Sequence, residues 1–414
     1  MEVYIMKKKV LFISLLIILI VTLIFIIGVN SIAEGQKEVK IGAAVAISGS
    51  LAREGSLVKE GYDFWSEYVN SKGGIKVGDE YYKVNMIYYD DESDAMKGNK
   101  LVEKLITEDK ADVIFGSYGS GIVFATSAIT EKYQKLMLAP LSTSDTLYER
   151  GYKYIFNPAK LSSYNGKWWV EYFASLKPKP KTMGVIVLND LFPLSTVEGL
   201  KKPAAENGIE IVNIEMFSKG AKDFTSLLLK IKKNNPDIIF LSCYFQDELL
   251  ALQQMRELDI NPKLIFMAVT ASLPEVYTIL GADSDGIMGE ELYNPNVPYK
   301  DPIFGSNKEF LELWHKKSGG VNPYYSNVYG ILVGAVYQAG VEKAGSIDTE
   351  KVRQALLDMD QEFIIGRVRF MENGAPYWNP PYPIIMWKNG KVEYLSPPEG
   401  ATAEPIYPKR PWGK

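Results

Sequence analysis

Cysteine and histidine are almost absent, with one of each, Cys243 and His315, in 414 residues. A single cysteine excludes an intramolecular disulfide, and the two together exclude a metal site built from several thiolates or imidazoles. A Cys–His nucleophile would need these two residues to meet, yet Cys243 ends the apolar run PDIIFLSC and His315 lies in the polar segment KEFLELWHKKSGG. Phosphate-binding patterns are missing as well: GSYGSG lacks the GxGxxG spacing and no GxxxxGK[ST] occurs. There is no GxSxG nucleophile elbow. Basic runs are confined to Lys7–Lys9 and the formal charge is −4, so the electrostatic footprint of a nucleic-acid binder is lacking. These absences point away from enzymes and nucleic-acid partners, and they imply no cofactor.

What is present begins with an export signal. Lys7, Lys8 and Lys9 precede an apolar run at 10–28, interrupted only by Ser14 and Thr22, and Ser31 and Ala33 supply the small residues of a cleavage site. The run is also long enough to span a bilayer as a retained anchor. No Cys follows it, which excludes a lipid-anchored lipoprotein. Residues 1–33 are therefore expected to be a signal peptide or an N-terminal anchor, and the remainder to be exported to the periplasm or cell surface.

From Val39 onward strands and helices alternate. VKIGAAVAI (39–47) reads as a buried strand, with a helix near Ser56–Ser71. YYKVNMIYYDD, ADVIFG, KLMLAP, YKYIFN, TMGVIVLND, IEIVNIEMF, PDIIFLSC and KLIFMAV continue the strand series. Regular βα alternation predicts an α/β fold with parallel sheets covered by helices. The strands are too many for one sheet of ordinary size, which predicts two lobes with a cleft between them. YPIIMWKNGKVEYL reads as a hairpin about Asn389-Gly390. The Pro- and aromatic-rich end, 396–414, reads as an extended strap on one lobe, with a proline-motif ligand as the alternative.

Three strand ends carry small polar residues where a helix is due to begin: AISGSLAREG (46–55), FGSYGSGIVFA (115–125) and APLSTSDTL (139–147). Ligands of open α/β sheets gather at the carboxyl ends of strands, and helix N-termini there offer unpaired N–H groups to a carboxylate. One such stretch is explained by capping alone; three on one lobe suggest a site. The acidic YYDDESD (88–94) reads as capping of the following helix rather than as a metal site.

IGAAVAISGSLAREG, YYDDESDAMKGNKLVEKLITEDKADVIFGSYGSG, APLSTSDTLYERGYKYIF and DFTSLLLKIKKNNPDIIFLSCYFQDELLALQQMRELDI resemble the solute-binding proteins of branched-chain amino-acid ABC transporters, across nearly all of residues 39–395. The resemblance implies a periplasmic-binding-protein type I fold, with two Rossmann-like lobes joined by three crossovers. Lobe 1 would comprise 39–157 plus 291–364, and lobe 2 would comprise 158–290 plus 365–395. It implies a monomer that captures a small solute and presents it to ABC permease subunits. By the same likeness, the ligand's carboxylate falls to Ser120 and Gly119, and to Leu141, Ser142 and Thr143. Glu54 falls over the ligand, and lobe 2 contributes Tyr244 and Phe192. The acid that holds an ammonium in the family is missing: FMAVTAS puts Thr270 there, so either Glu54, Asp190 or Glu290 supplies the charge or the ligand is another acid, an amide or urea. A membrane-tethered sensory domain is the competing reading.

Overall fold

The computed structural model describes Met1, residues 4–6, Ser14 and residues 37–269, 271–377 and 382–413. Most of the expected leader, and Thr270, lie outside the described residues. Among the described residues no helix is long and apolar enough to cross a membrane.

EVKIGAAV is buried on both faces and forms β1 (Glu38–Val45), as befits a central strand of a helix-covered sheet. It is joined by β2 (Ile75–Val77), β3 (Glu80–Asp90), β4 (Val113–Phe115), β5 (Met137–Leu138) and β6 (Ile155–Phe156), in the order β2-β3-β1-β4-β5-β6. All pairings are parallel except the β2–β3 hairpin. The connecting helices are α1 (Ala52–Ser71), α2 (Ala95–Thr107) and α3 (Ser120–Lys132). Because α1 starts about a turn earlier than the sequence suggested, Glu54 lies in its first turn rather than in a loop.

Past β6 the chain crosses to a second lobe. There α4 (Ser162–Ser175) leads into β7 (Thr182–Leu188), α5 (Leu191–Glu206), β8 (Glu210–Phe217), α6 (Thr225–Asn234), β9 (Ile238–Ser242), α7 (Phe245–Glu257), β10 (Leu264–Met267), α8 (Glu275–Leu280) and β11 (Met288–Glu290). A second passage brings the short pair β12 (Lys300–Asp301) and β13 (Gly305–Ser306), then α9 (Asn307–Ser318), α10 (Tyr325–Ala344), α11 (Thr349–Leu357) and the pair β14 (Gln361–Phe363) and β15 (Gly366–Val368). A third passage returns β16 (Ile384–Lys388) and β17 (Lys391–Ser396) to the second sheet. Its order is β17-β16-β11-β10-β9-β7-β8, parallel as far as β11 and antiparallel beyond. Asn389 and Gly390, at φ +52° and +72°, close the β16–β17 hairpin with the twist that adjacent strands require.

The first lobe is braced by α10, which is apolar around most of its circumference and buried along most of its length. It crosses α1 at backbone contact. A Cβ on Gly61 would lie 2.2 Å from the Asn327 carbonyl oxygen, and one on Gly330 would lie 2.4 Å from that of Val58. Trp65 fills the next turn against Gly334 and donates from Nε1 to Gln338 Oε1 at 3.2 Å.

The stretch 365–377, expected in lobe 2, runs instead along the free edge of β6. Asn157 N–H donates to the Gly374 carbonyl (3.2 Å), Asn373 Nδ2 donates to the Tyr148 carbonyl (2.9 Å), and Ala375 is buried in the first lobe's core. A two-residue edge strand exposes unpaired backbone groups that need such a cover. The chain re-enters the second lobe close to Tyr382. The C-terminal strap lies on that lobe: Trp412 is buried with Nε1 donating to the Ile260 carbonyl (2.7 Å), and Lys409 N–H donates to the Lys263 carbonyl (2.8 Å).

Candidate solute site between the lobes

Strand ends of both sheets converge on a cavity between the lobes. The first lobe lines it with Tyr118, Gly119, Leu141, Thr143 and Tyr325; Asn165, Phe192, Tyr244, Val269, Glu290, Leu292 and Tyr382 line the other side. The cavity measures about 30 Å3, room for about two waters. A larger solute therefore enters only as the lobes part.

Each wall follows from local structure. Gly119 takes φ +93° at the N-cap of α3, a left-handed position that suits glycine, and turns the chain from β4 into the helix. Leu141 and Thr143 follow β5; the Thr143 and Ser162 hydroxyls share a hydrogen bond of 2.8 Å at the first crossover. Tyr244 is the N-cap of α7, and its ring stacks on Phe192 (5.9 Å, 27°) and meets Tyr118 edge-on (6.0 Å). Such ring pairs favour a fixed geometry as well as burial.

Other residues expected in the site stand behind the cavity wall. Ser120 Oγ accepts the Ser144 N–H at 3.1 Å, tying two first-lobe loops together. Ser142 is fully buried; its carbonyl accepts from Tyr148 Oη (3.0 Å) and Asn157 Nδ2 (3.1 Å), and its hydroxyl is without a partner among the described residues. Glu54 is fully buried too, and it turns across the interface so that Oε1 accepts the Phe245 N–H at the start of α7 (3.4 Å). Burial pushes its carboxyl up to about 7 against the help of backbone N–H groups.

The segment from 139 to 147 corrects a further expectation. No α-helix begins there, only a short 3-10 turn, Asp145–Leu147. The Asp145 carboxylate serves other elements instead, accepting from Ser163 Oγ (2.6 Å), Ser163 N–H (3.3 Å) and Ser195 Oγ (2.5 Å) at the starts of α4 and α5. Arg53 with Glu275 (2.7 Å) and Lys219 Nζ with the Ser93 carbonyl (2.8 Å) add to this seam between the lobes. Hydrogen bonds to a charged group contribute about 1.5–3 kcal/mol. Asp145→Ala is therefore expected to lower the fraction of closed protein and to weaken every solute alike by about tenfold in calorimetry.

Sequence reasoning missed Tyr118, Asn165, Val269, Leu292, Tyr325 and Tyr382, and it raised Glu290 only as one of three acids. Glu290 is buried at the end of β11, and its Oε1 has no hydrogen-bond partner among the described residues. Asn165 Oδ1 is likewise buried without a partner among the described residues. Asp190 acts on Tyr244 by its charge and as the hydrogen-bond acceptor facing the tyrosine hydroxyl, and its Oδ1 accepts the Leu191 N–H (2.6 Å) as the N-cap of α5. Cys243 is buried, with its thiol pushed well above the ordinary range by burial, and His315 pairs with Asn322 Oδ1 (2.8 Å). In the acidic segment, Asp94 caps α2 through the Lys97 N–H (2.8 Å), and Asp91 accepts from Ser117 Oγ (2.6 Å) and Ser93 N–H (2.8 Å).

A family model described as periplasmic binding protein matches residues 38–391, which span both lobes. The chain belongs to the periplasmic binding protein family. Family and relatives are substrate-binding proteins rather than enzymes. Among curated relatives of this periplasmic binding protein is the leucine-, isoleucine-, valine-, threonine- and alanine-binding protein of Pseudomonas aeruginosa. It is 26% identical over 354 residues, covering 84% of this chain and 90% of the relative. Among solved structures, a leucine-binding protein from Thermotoga maritima aligns with a TM-score of 0.77 and 22% identity, over 86% of this chain and 98% of that one. An ABC transporter solute-binding protein from R. palustris in complex with benzoate aligns at 0.75 and 21%, over 89% and 98%. At these identities the two structures bear on the fold alone.

Proposed function

We propose that this periplasmic binding protein is the exported receptor of an ABC importer and that its lobes close on an α-amino acid with an apolar side chain. The observation that carries the reading is a pair of unpartnered buried atoms in the cavity wall, Glu290 Oε1 and Asn165 Oδ1. An unsatisfied buried polar group costs about 1–3 kcal/mol. An ammonium brings N–H donors and a positive charge, which suit two acceptors of which one is a carboxylate. On the first lobe, Gly119, Leu141 and Thr143 stand beside the N-terminus of α3, whose first N–H groups suit a carboxylate, and the Tyr244 hydroxyl reaches over to Gly119. Leu141, Val269, Leu292 and the rings of Phe192 and Tyr118 leave apolar wall for the side chain. The curated relative's amino-acid specificity agrees with this assignment.

In this reading residues 1–33 are the leader or anchor, the partner is a membrane permease, and the receptor acts as a monomer. Ligand-driven closure requires contacts with both lobes at once. Thr143→Ala, which removes a first-lobe hydroxyl from the cavity, is expected to weaken amino-acid binding by about tenfold. A second reading, an aromatic carboxylic acid, is favoured by the Tyr118–Tyr244–Phe192 ring cluster and by the benzoate-bound neighbour. A thermal-shift panel separates them, since a solute that binds only the folded protein raises its melting temperature. Apolar amino acids are expected to do so. A shift with benzoate and none with amino acids would overturn the first reading in favour of the second.

A further inference from the structure

A second and larger cavity adjoins the solute cavity. It measures about 390 Å3 against about 30 Å3 for the first, and Leu292 and Tyr382 line both. The rest of its wall is largely apolar: Val297 of the second passage, Ile364 and Ile365 between β14 and β15, Pro383 of the third passage and Pro397 of the strap. Asn294 lies on the same wall with its amide engaged, Nδ2 donating to the Gly400 carbonyl (3.4 Å) and Oδ1 accepting the Asn296 N–H (2.9 Å). A concave, mostly apolar space of this size suits an apolar group of a small ligand.

The partition between the two cavities follows from the pairing of the passages. The second and third passages run side by side, and the Glu291 N–H donates to the Pro383 carbonyl at 2.9 Å. One residue beyond that rung on each strand stand Leu292 and Tyr382, the wall common to both cavities. These two residues are held differently. Tyr382 Oη accepts the Lys160 N–H (2.6 Å) and the Tyr329 hydroxyl of α10 (3.2 Å), so two other elements fix its ring. The Leu292 side chain is buried but aliphatic, and it can change rotamer without breaking a hydrogen bond. Leucine is therefore the movable half of the partition.

We propose that Leu292 is a size gate and that the cavity beyond it is a subsite for the far end of the solute's side chain. The solutes selected are then α-amino acids with long or bulky apolar side chains. This rests on the preceding reading of the solute as an apolar amino acid. Room for about two waters does not hold such a side chain, whereas a chain that turns Leu292 aside gains the larger space without wider separation of the lobes. Each methylene that passes the gate leaves water for an apolar wall, and a single methylene in such a pocket discriminates by about tenfold or more. Displacing Leu292 offsets part of that gain, since its own packing is disturbed.

The test compares 2-aminooctanoate with norvaline, which share the α-amino acid group and differ by three methylenes, in calorimetry of the full chain in mild detergent. Wild type is expected to bind 2-aminooctanoate at least about tenfold more tightly. Equal or weaker binding of 2-aminooctanoate overturns the inference. Val297→Trp fills the larger cavity from a wall that the solute cavity does not share, and the ratio of the two affinities is expected to fall to about one. A ratio unchanged from wild type overturns the subsite. Should Val297→Trp fail to fold, Ile365→Trp is measured in the same way, with the same two outcomes. Leu292→Ala opens the gate and is expected to raise the ratio by about a further fivefold; no change there contradicts the gating role. If wild type binds benzoate and no amino acid, the proposed function fails. The ratio is then read with 4-hexylbenzoate and 4-propylbenzoate, and the same outcomes decide the subsite.

Discussion

Glu290→Gln is expected to lower the affinity for an apolar amino acid by about two orders of magnitude, while changing the affinity for benzoate by less than threefold. The substitution keeps the shape of a buried side chain that lines the cavity and removes only its charge. Truncating one partner of a buried, hydrogen-bonded charge pair costs about 2–5 kcal/mol, and two orders of magnitude correspond to about 2.8 kcal/mol. Part of that loss is the ammonium left in a low-dielectric site without its anion. Isothermal calorimetry of wild type and variant with both solutes reads the difference directly. Equal losses for the two solutes would mean that Glu290 shapes the cavity rather than selecting an amine.

The largest effect on stability is expected at the crossing of α1 and α10. Gly61→Ala would put a methyl group 2.2 Å from the Asn327 carbonyl oxygen and 2.9 Å from the Ile331 nitrogen, and both are backbone atoms of a buried helix. Neither can move without shifting α10, so the helices must separate, at a cost of about 3 kcal/mol or more. The melting temperature should fall by about 10 °C. Gly340→Ala, on the same α10, meets the flexible end of Leu356 at 2.9 Å and should cost far less. The crossing matters to function because α1 carries Glu54 and α10 carries Tyr325, a residue of the cavity wall. Differential scanning calorimetry of the two variants distinguishes a backbone contact from ordinary packing.

The parts of the molecule that were legible in sequence are those governed by local rules. Runs such as EVKIGAAV and TMGVIVL announce buried parallel strands by being apolar on both faces. Strand ends then locate the loops 115–125 and 139–147 at the cleft, because ligands meet open α/β sheets at those ends, and the family resemblance singles out Gly119, Leu141 and Thr143 within them. Asn389-Gly390 announces its turn by the backbone angles it must adopt.

Legibility ended where tertiary partners decided the matter. Ser120 and Asp145 carry the right chemistry in the right loops, yet one hydroxyl is spent on the Ser144 N–H and the carboxylate on Ser163 and Ser195. Nothing local to APLSTSDTL announces that its acid will serve helices of the other lobe. Asn165, Glu290 and Tyr382 come from an inward face of α4, the last residue of β11 and the segment before β16, so no sequence window contains two of them. The missing acid in FMAVTAS was the one signal that pointed to them, since a site for an amino acid without that acid needs another. Stretch 365–377 was misassigned for a similar reason: it covers the edge of β6, far away in sequence.

The central claim is that the cleft recognises an amine as well as a carboxylate, and one pair of solutes tests it most directly. Leucine and 4-methylpentanoate share the carboxylate and the branched side chain and differ in the α-ammonium. Calorimetric titration of the wild-type chain at neutral pH should show leucine, or the best-bound apolar amino acid set against its own des-amino analogue, binding at least about 100-fold more tightly. Equal or tighter binding of the des-amino acid would contradict the assignment of Glu290 and Asn165 to an ammonium.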